Sequence, residues 1–214
     1  MQDPRRQLLI VGAGGFGREV LGYIEDDNPL FRIKGFLDSR ANALAATPRS
    51  VGIVGDPLTW EPQPDEVFMA ALGDPHSRFK YTAALRDEHD VDFATVAHPR
   101  ANVSRHARIE RGCIIAPNVG ISVDTHIDEF SCIQEYTVIG HDAKIGKWCQ
   151  VNSHCTIAGG AVIGDFVTIH PNYVVTSRAV IGDGSIVGPG SVVMGRIPAG
   201  ITVLGNPARR FSFR

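Results

Sequence analysis

From Val103 to Val193 every sixth residue is Val or Ile: Val103, Ile109, Ile115, Ile121, Ile127, Ile133, Ile139, Ile145, Val151, Ile157, Ile163, Ile169, Val175, Ile181, Val187 and Val193. The period never slips. Four places after each aliphatic lies a second regular slot, held by Ala107, Cys113, Val119, Thr125, Ser131, Thr137, Ala143, Cys149, Cys155, Ala161, Val167, Tyr173, Ala179, Ser185 and Ser191. All but Tyr173 are small or modest in size. A helix repeats every 3.6 residues and a half-buried strand every 2, so neither accounts for a period of six. A hexapeptide repeat is the mark of a parallel β-helix. Three short strands per coil build a triangular prism, with the β-branched residue pointing inward onto its counterpart three hexads later and the small residue where the chain crowds a corner. A β-sandwich has irregular strand spacing and does not give this pattern.

Ahead of the repeat the pattern is different. Gln7 to Val11 reads as a strand, Arg18 to Glu25 as a helix, Ile33 to Leu37 as a second strand, Glu66 to Leu72 as a third, Asp74 to Glu88 as a helix and Phe93 to Ala97 as a fourth strand. Between the first strand and the first helix stands Gly12-Ala13-Gly14-Gly15-Phe16-Gly17, which matches G-x-G-x-x-G with Gly12, Gly14 and Gly17 in register. Asp38 closes the second strand. Strand, glycine turn, helix, strand and acid in that order suit a nucleotide loop, where backbone N–H groups approach phosphates at a helix N-terminus. A full doubly wound sheet does not fit before Val103. The expected architecture is therefore a half-sized α/β domain over 1–98, followed by an all-β parallel β-helix over 99–214. A phosphate-bearing nucleotide sugar is the preferred ligand over NAD; the remaining alternative is that the glycines serve only tight packing.

Composition narrows the class. The 214 residues carry 21 Lys and Arg against 23 Asp and Glu, a formal charge of −2. That balance argues against a nucleic-acid or anionic-membrane binder, which would show a basic excess. No apolar run approaches the roughly 20 residues of a membrane span, and the polar start from Met1 to Gln7 has no signal-peptide core behind it. Cys113, Cys149 and Cys155 occupy the small slot and Cys132 lies one place past it. They read as small buried thiols in a reducing cytoplasm.

The repeat carries His106, His126, His141, His154 and His170. His141 lies at a coil corner, pointing away from the core, and Asp142 follows it directly. A neighbouring carboxylate can hold the tautomer of an imidazole and raise its basicity. Gly159 lies three hexads after His141, at the same corner one coil later. Pro171, Pro189 and Pro207 are related by the same step and mark one edge of the prism.

These residues carry a resemblance. Gly12 to Gly17, Phe36-Leu37-Asp38, His141-Asp142 and Gly205-Asn206-Pro207-Ala208 together resemble the hexapeptide-repeat sugar O- and N-acyltransferases of the sialic-acid and bacillosamine type, over nearly the whole chain. The resemblance implies a left-handed β-helix and acetyl-CoA-dependent acetylation of the amino group of a nucleotide-linked sugar, by direct transfer through a tetrahedral intermediate. It implies His141 as general base with Asp142 as its orienting acid, and the Gly159 amide on the acetyl carbonyl. Gln150, Pro171, Pro189 and Arg209 (with Arg210 beside it) would line the coenzyme groove. Gly12, Gly14, Gly15, Phe16, Gly17 and Asp38 would hold the nucleotide. It further implies a cytoplasmic homotrimer, with active sites between subunits and no metal. The chain departs from the family at Gln134-Glu135, where Asn-Thr is frequent, at Gln150, where a second histidine stands, and at Phe16, where many relatives have His.

Three alternatives compete. O-acetylation of a sugar hydroxyl uses the same base. A non-catalytic nucleotide-sugar binder would keep the fold without the chemistry. A metal-dependent hydratase on the same prism needs three histidines converging on zinc, two of them close in sequence, and the spacing of His126, His141, His154 and His170 does not supply them.

Overall fold

The computed structural model describes residues 6–27 and 30–212. The chain falls into two compact units that divide between Ala94 and Thr95.

The first unit is a four-stranded parallel sheet with two helices. In chain order its elements are β1 (Arg6–Val11), α1 (Gly15–Asp27), β2 (Phe31–Leu37), β3 (Ile53–Gly55), β4 (Glu66–Ala70) and α2 (Pro75–Ala83), with a single wider, π-type stretch at Ala84–Glu88. The strand order is β3-β2-β1-β4. Leu8 to Val11 of the central strand β1 are fully buried, as expected of a parallel strand covered on both faces, and Phe68 to Ala70 of the edge strand β4 are buried as well. α2 is capped by Asp74, whose side chain accepts from the Ser77 N–H, and Pro75 opens its first turn, where a missing N–H costs nothing.

Three sequence expectations are corrected here. α1 begins at Gly15 rather than Arg18, so the glycines form its first turn. β3 was not expected, being three residues long. Phe93 to Ala97 is not a strand of this sheet: Phe93 makes one isolated bridge to Phe68, while Val96–Ala97 pairs with Ile114–Ile115 as a rung of the second unit. Backbone pairing with the next coil, Val96 N–H to Cys113 O and His98 N–H to Ile115 O, decides the matter.

The second unit is the left-handed parallel β-helix. Its short rungs stack into three sheets, parallel but for the final strand Arg209–Arg210, in which residues 18 apart pair, as Val138 with Thr156 and Thr156 with Val174, the step falling to 16 at the last coil. Ile139, Ile157 and Val175 stack inside with no exposed surface. Fully burying each such side chain contributes about 1.5–3 kcal/mol. The small slot is interior too, and its chemistry has a second cause besides size. Ser131 Oγ donates to Gly146 O at 2.7 Å, Thr137 Oγ1 to Asn152 O at 3.0 Å and Ser185 Oγ to Pro198 O at 2.8 Å. These side chains satisfy carbonyls that the turning chain leaves without a ladder partner.

From Gly112 to Gly190 each corner takes one residue in the left-handed region, and ten of these fourteen are not glycine. Phe130, Trp148 and Phe166 hold φ of 58, 59 and 56° at successive coils of one corner, a conformation that costs a side-chain-bearing residue about 1–2 kcal/mol. Stacking offsets it: the Phe130 and Trp148 rings lie 4.1 Å apart and 3° from parallel, and Trp148 and Phe166 are 6.2 Å apart.

Candidate active site

The corner between the rungs Val138–Ile139 and Lys144–Ile145 carries Gly140, His141 and Asp142. Asp142 is the left-handed residue of this corner, at φ 58°, which turns its carboxylate back onto the preceding imidazole. His141 Nδ1 lies 2.6 Å from Asp142 Oδ2. A carboxylate accepts, so Nδ1 carries a proton, and in the neutral ring Nε2 then keeps its lone pair. Both side chains are about two-thirds exposed, as expected for a corner pair. The loop beneath is fixed by the Thr125 hydroxyl, which donates to Gly140 O at 3.0 Å.

One coil on, Gly159 lies against this pair. A Cβ built on Gly159 would lie 2.7 Å from His141 Nε2 and 2.8 Å from Cε1, and one on Gly140 would lie 2.6 Å from Gly159 N. Only glycine lets the two corners come this close. The Gly160 N–H donates to His141 O at 2.8 Å, which ties the coils together. Among the described residues the Gly159 N–H has no protein acceptor. The arrangement thus offers a free imidazole nitrogen beside a free backbone donor. Arg178, a further coil along, sets its stem over Gly160, 3.4 Å from where a Cβ there would be.

The other residues expected at the coenzyme lie elsewhere on the prism. Pro171, Pro189 and Pro207 are exposed on the next corner, after the rungs Thr168–Ile169, Ile186–Val187 and Thr202–Leu204. One sheet separates that corner from His141 within a single chain. Gln150 is buried, and its amide donates to Asn152 Oδ1 at 3.3 Å. Arg209 is exposed in a short strand, Arg209–Arg210, antiparallel to Val203–Leu204. Near this end of the prism His170, Ile186, Pro189, Leu204 and Phe211 border an apolar cavity of about 300 Å³.

The remaining histidines are dispersed. His126 Nε2 meets Glu110 Oε1 at 3.1 Å on a sheet face, and His154 stacks on Tyr136 at 4.9 Å. Among the described residues no group of three His, Cys, Asp or Glu side chains is placed to hold a metal ion. All four cysteines are buried and free, and burial pushes the Cys155 thiol up to about 11.

In the first unit, the glycine turn and Asp38 form a separate centre. Gly12 is at φ +100°, and its missing Cβ would lie 3.0 Å from Ala71 O. A Cβ on Gly17 would fall 1.9 Å from Gly12 O, so the helix can start here only with glycine at that position. Gly15 is open to solvent and Phe16 is half-buried. The Asp38 carboxylate is buried and occupied. Oδ2 accepts from the Ala13 N–H at 2.8 Å and Arg40 Nη2 at 2.9 Å, and Oδ1 from the Arg40 N–H at 2.9 Å and Nε at 3.0 Å. Burial by itself would raise the Asp38 carboxyl, but the Arg40 side chain and the two backbone donors outweigh it and hold it below its ordinary value. Arg40 was not singled out from the sequence. It stands two residues past Asp38, in no motif, and only the fold shows that it borders two cavities. One, of about 330 Å³, lies among Gly12, Asp38, Ser39, Pro57 and Tyr81. The other, of about 210 Å³, lies among Gly12, Gly14, Gly15, Phe16 and Ser77.

Comparison with known proteins agrees with both halves. Residues 7–85 match the PglD N-terminal domain, and residues 160–195 match the bacterial transferase hexapeptide (six repeats). No curated protein sequence matches the chain. Among solved structures, PerB from Caulobacter crescentus, in complex with CoA and GDP-perosamine, is 25% identical, with a TM-score of 0.87 over 96% of this chain and 97% of that one. A mutant of perosamine N-acetyltransferase from the same organism, with the same two ligands, is 24% identical, with a TM-score of 0.86 over 97% of each chain. The acetyltransferase domain of PglB from Neisseria gonorrhoeae is 22% identical, with a TM-score of 0.86 over 97% of this chain and all of that domain. With a PglD-type α/β domain ahead of its hexapeptide prism, the chain is an acyltransferase similar in fold to these sugar N-acetyltransferases.

Proposed function

We propose that the protein transfers the acetyl group of acetyl-CoA to the amino group of a nucleotide-linked amino sugar. The observation that carries this reading is the His141–Asp142 pair set against the Gly159 amide. As the amine attacks the thioester carbonyl, His141 Nε2 takes its proton. Asp142 keeps the ring in the required tautomer and stabilises the imidazolium. The Gly159 N–H, preset and without another acceptor, donates to the oxyanion of the tetrahedral intermediate. Collapse breaks the C–S bond, and the imidazolium returns its proton to the departing thiolate. Direct transfer is favoured over an acyl-enzyme because every cysteine is buried, and burial keeps the Cys155 thiol protonated. The relatives' ligands, CoA and GDP-perosamine, support the donor and the class of acceptor.

A homotrimer completes the coenzyme groove in this reading. The Pro171–Pro189 edge and the His141 corner are separate in one chain, so adjacent subunits would each supply one. One sheet suits the contact, since its outer face bears Gly120, Val138, Thr156, Val174 and Val192 and no charge, whereas another bears Arg108, Lys144 and Arg196. In this reading the enzyme works in the cytoplasm.

The test is thiol release from acetyl-CoA across UDP- and GDP-linked amino sugars, with His141→Ala in parallel. The variant should lose about 10²–10⁴-fold in kcat, and the product should be an amide stable to hydroxylamine. Release that survives the substitution removes His141 as base. A hydroxylamine-labile product makes the acceptor a hydroxyl.

A further inference from the structure

We propose that Arg40 is the cation that binds the diphosphate of the nucleotide sugar, and that Asp38 acts through Arg40 as a positioning residue and does not itself touch the ligand. This rests on the nucleotide-sugar reading above and assigns the work within that pocket.

The argument starts from the lone pairs of Asp38. An ionised carboxylate offers about four acceptor sites. Here all four are taken, by the Ala13 N–H, the Arg40 N–H, Arg40 Nε and Arg40 Nη2, at 2.8–3.0 Å. An acid at the end of the second strand is placed to meet a ribose hydroxyl, but this one has no site left to accept it. Its side chain is 7% exposed, against 65% for Arg40. The acid is thus built into the domain while the guanidinium it grips is presented outward.

The grip is two-pronged, and it fixes the plane of the guanidinium. Arg40 donates Nε and one Nη2 hydrogen to Asp38, which leaves the Nη1 end and the outer Nη2 hydrogen free. Among the described residues those donors have no protein acceptor. The free edge borders both cavities around Gly12, and Nη2 lies 3.9 Å from where a Cβ on Gly14 would be. The same carboxylate also holds the Ala13 N–H, so one buried charge sets the glycine turn and the guanidinium at once.

The smaller of these cavities is also lined by Gly15 and Phe16 at the start of α1, whose first N–H groups lack helical partners and whose dipole favours an anion. Asp74 borders the same cavity, but its side chain caps α2 through the Ser77 N–H. A forked, always-charged cation beside a run of free N–H groups is matched by a phosphate or diphosphate, which an arginine takes in bidentate fashion.

The experiment is calorimetric titration of the full-length protein with a nucleoside, its monophosphate and its diphosphate, in the uridine and guanosine series, and with NADP. Wild type, Arg40→Gln and Arg40→Lys are compared, with thermal unfolding as a folding control. Loss of Arg40 should weaken the diphosphate about 10–100-fold, the range for charge-assisted hydrogen bonds, and change the nucleoside less than about 3-fold. Arg40→Lys should fall between the two, and the salt dependence of diphosphate binding should flatten in Arg40→Gln. Asp38→Asn should reproduce part of the loss, again only for phosphate-bearing ligands. Unchanged diphosphate binding in Arg40→Gln overturns the assignment, and so does an equal loss for the bare nucleoside. NADP binding tighter than any diphosphate, and dependent on Arg40, would give the cation to a dinucleotide phosphate instead. Wild type that binds no nucleotide diphosphate sinks the nucleotide reading itself, a result distinct from the others.

Discussion

The two units obtain specificity in different ways. In the prism, position in the repeat decides what a residue does: inward at each aliphatic, small four places on, where a hydroxyl bonds a corner carbonyl, and left-handed at the corner between. No coil makes sense without its neighbours, since each rung takes its backbone partners from the adjacent coil, 18 residues away or, at the last coil, 16. In the α/β unit, function comes from a few singular contacts, such as Gly17 beneath Gly12 O and Asp38 between Ala13 and Arg40. Periodic structure tolerates many side chains but no change of phase within a rung. The singular structure tolerates changes of length in its loops but not a change at its few contacts.

The largest expected effect follows from phase. One glycine inserted between Thr156 and Ile157 throws the inward residue of that rung out of line with Ile139 and Val175. The cost should reach about 4 kcal/mol or more, comparable with removing one or two buried aliphatics. Because each coil rests on the next, the coils on both sides should unfold with it. One glycine inserted between Pro48 and Arg49, both exposed, should cost less than about 0.5 kcal/mol, since lengthening a surface loop is cheap. Denaturant unfolding followed by circular dichroism compares the two. Equal losses would mean that the prism is no more phase-bound than a loop.

A matched pair of glycines sharpens the contrast between structure and chemistry. Gly17→Ala would place a Cβ 1.9 Å from a backbone oxygen, and Gly159→Ala would place one 2.7 Å from the His141 ring. Backbone cannot move without the whole turn, whereas an exposed ring can swing aside. Gly17→Ala should therefore destabilise the first unit by about 3 kcal/mol or more, on the scale of other severe steric changes. Gly159→Ala should change stability by less than about 1 kcal/mol while lowering kcat about 10²-fold, the outcome that the roles proposed for the Gly159 N–H and His141 require when the two are pushed apart. Thermal unfolding and steady-state rates on both proteins separate these outcomes. A Gly159→Ala enzyme with a normal rate would detach the Gly159 corner from the chemistry.

What could be read from the residues in advance follows the same division. The prism was legible almost to the residue, because sixteen repeats of one environment leave little choice, and the same count placed Gly159 one coil from His141. The left-handed corners were not legible: Phe130, Trp148 and Phe166 are unlikely candidates for positive φ until their stacking is seen. In the first unit the glycine motif was legible but its partners were not. Arg40 has no pattern to mark it, and the place of Asp38 in the sequence does not reveal which donors its lone pairs accept. β3 was missed because three residues carry no periodicity. Phe93 to Ala97 was given to the wrong sheet because both units end in short apolar runs at that point, and only backbone pairing distinguishes them.

The smallest expected effect tests whether the repeat constrains even its own exception. Tyr173 is the one bulky residue in the small slot. It is 1% exposed, and its hydroxyl has no hydrogen-bond partner among the described residues. Burial pushes its phenol far above the ordinary value, with the neighbouring Cys155 thiol adding to the shift, so the group stays neutral at any working pH. Elsewhere in the slot a hydroxyl reaches a corner carbonyl, as at Thr137 and Ser185, but the phenol is too long to do so. A buried hydroxyl without a partner carries a desolvation cost of about 1–3 kcal/mol, and exchanging it for an apolar group of the same shape removes that cost. Tyr173→Phe should therefore stabilise the protein by about 1 kcal/mol, raising Tm by about 2–4 °C for a chain of this size, with no change in rate. A fall in Tm would show that the phenol is satisfied after all, by a water held inside the prism, and that the slot accommodates a long polar residue without penalty.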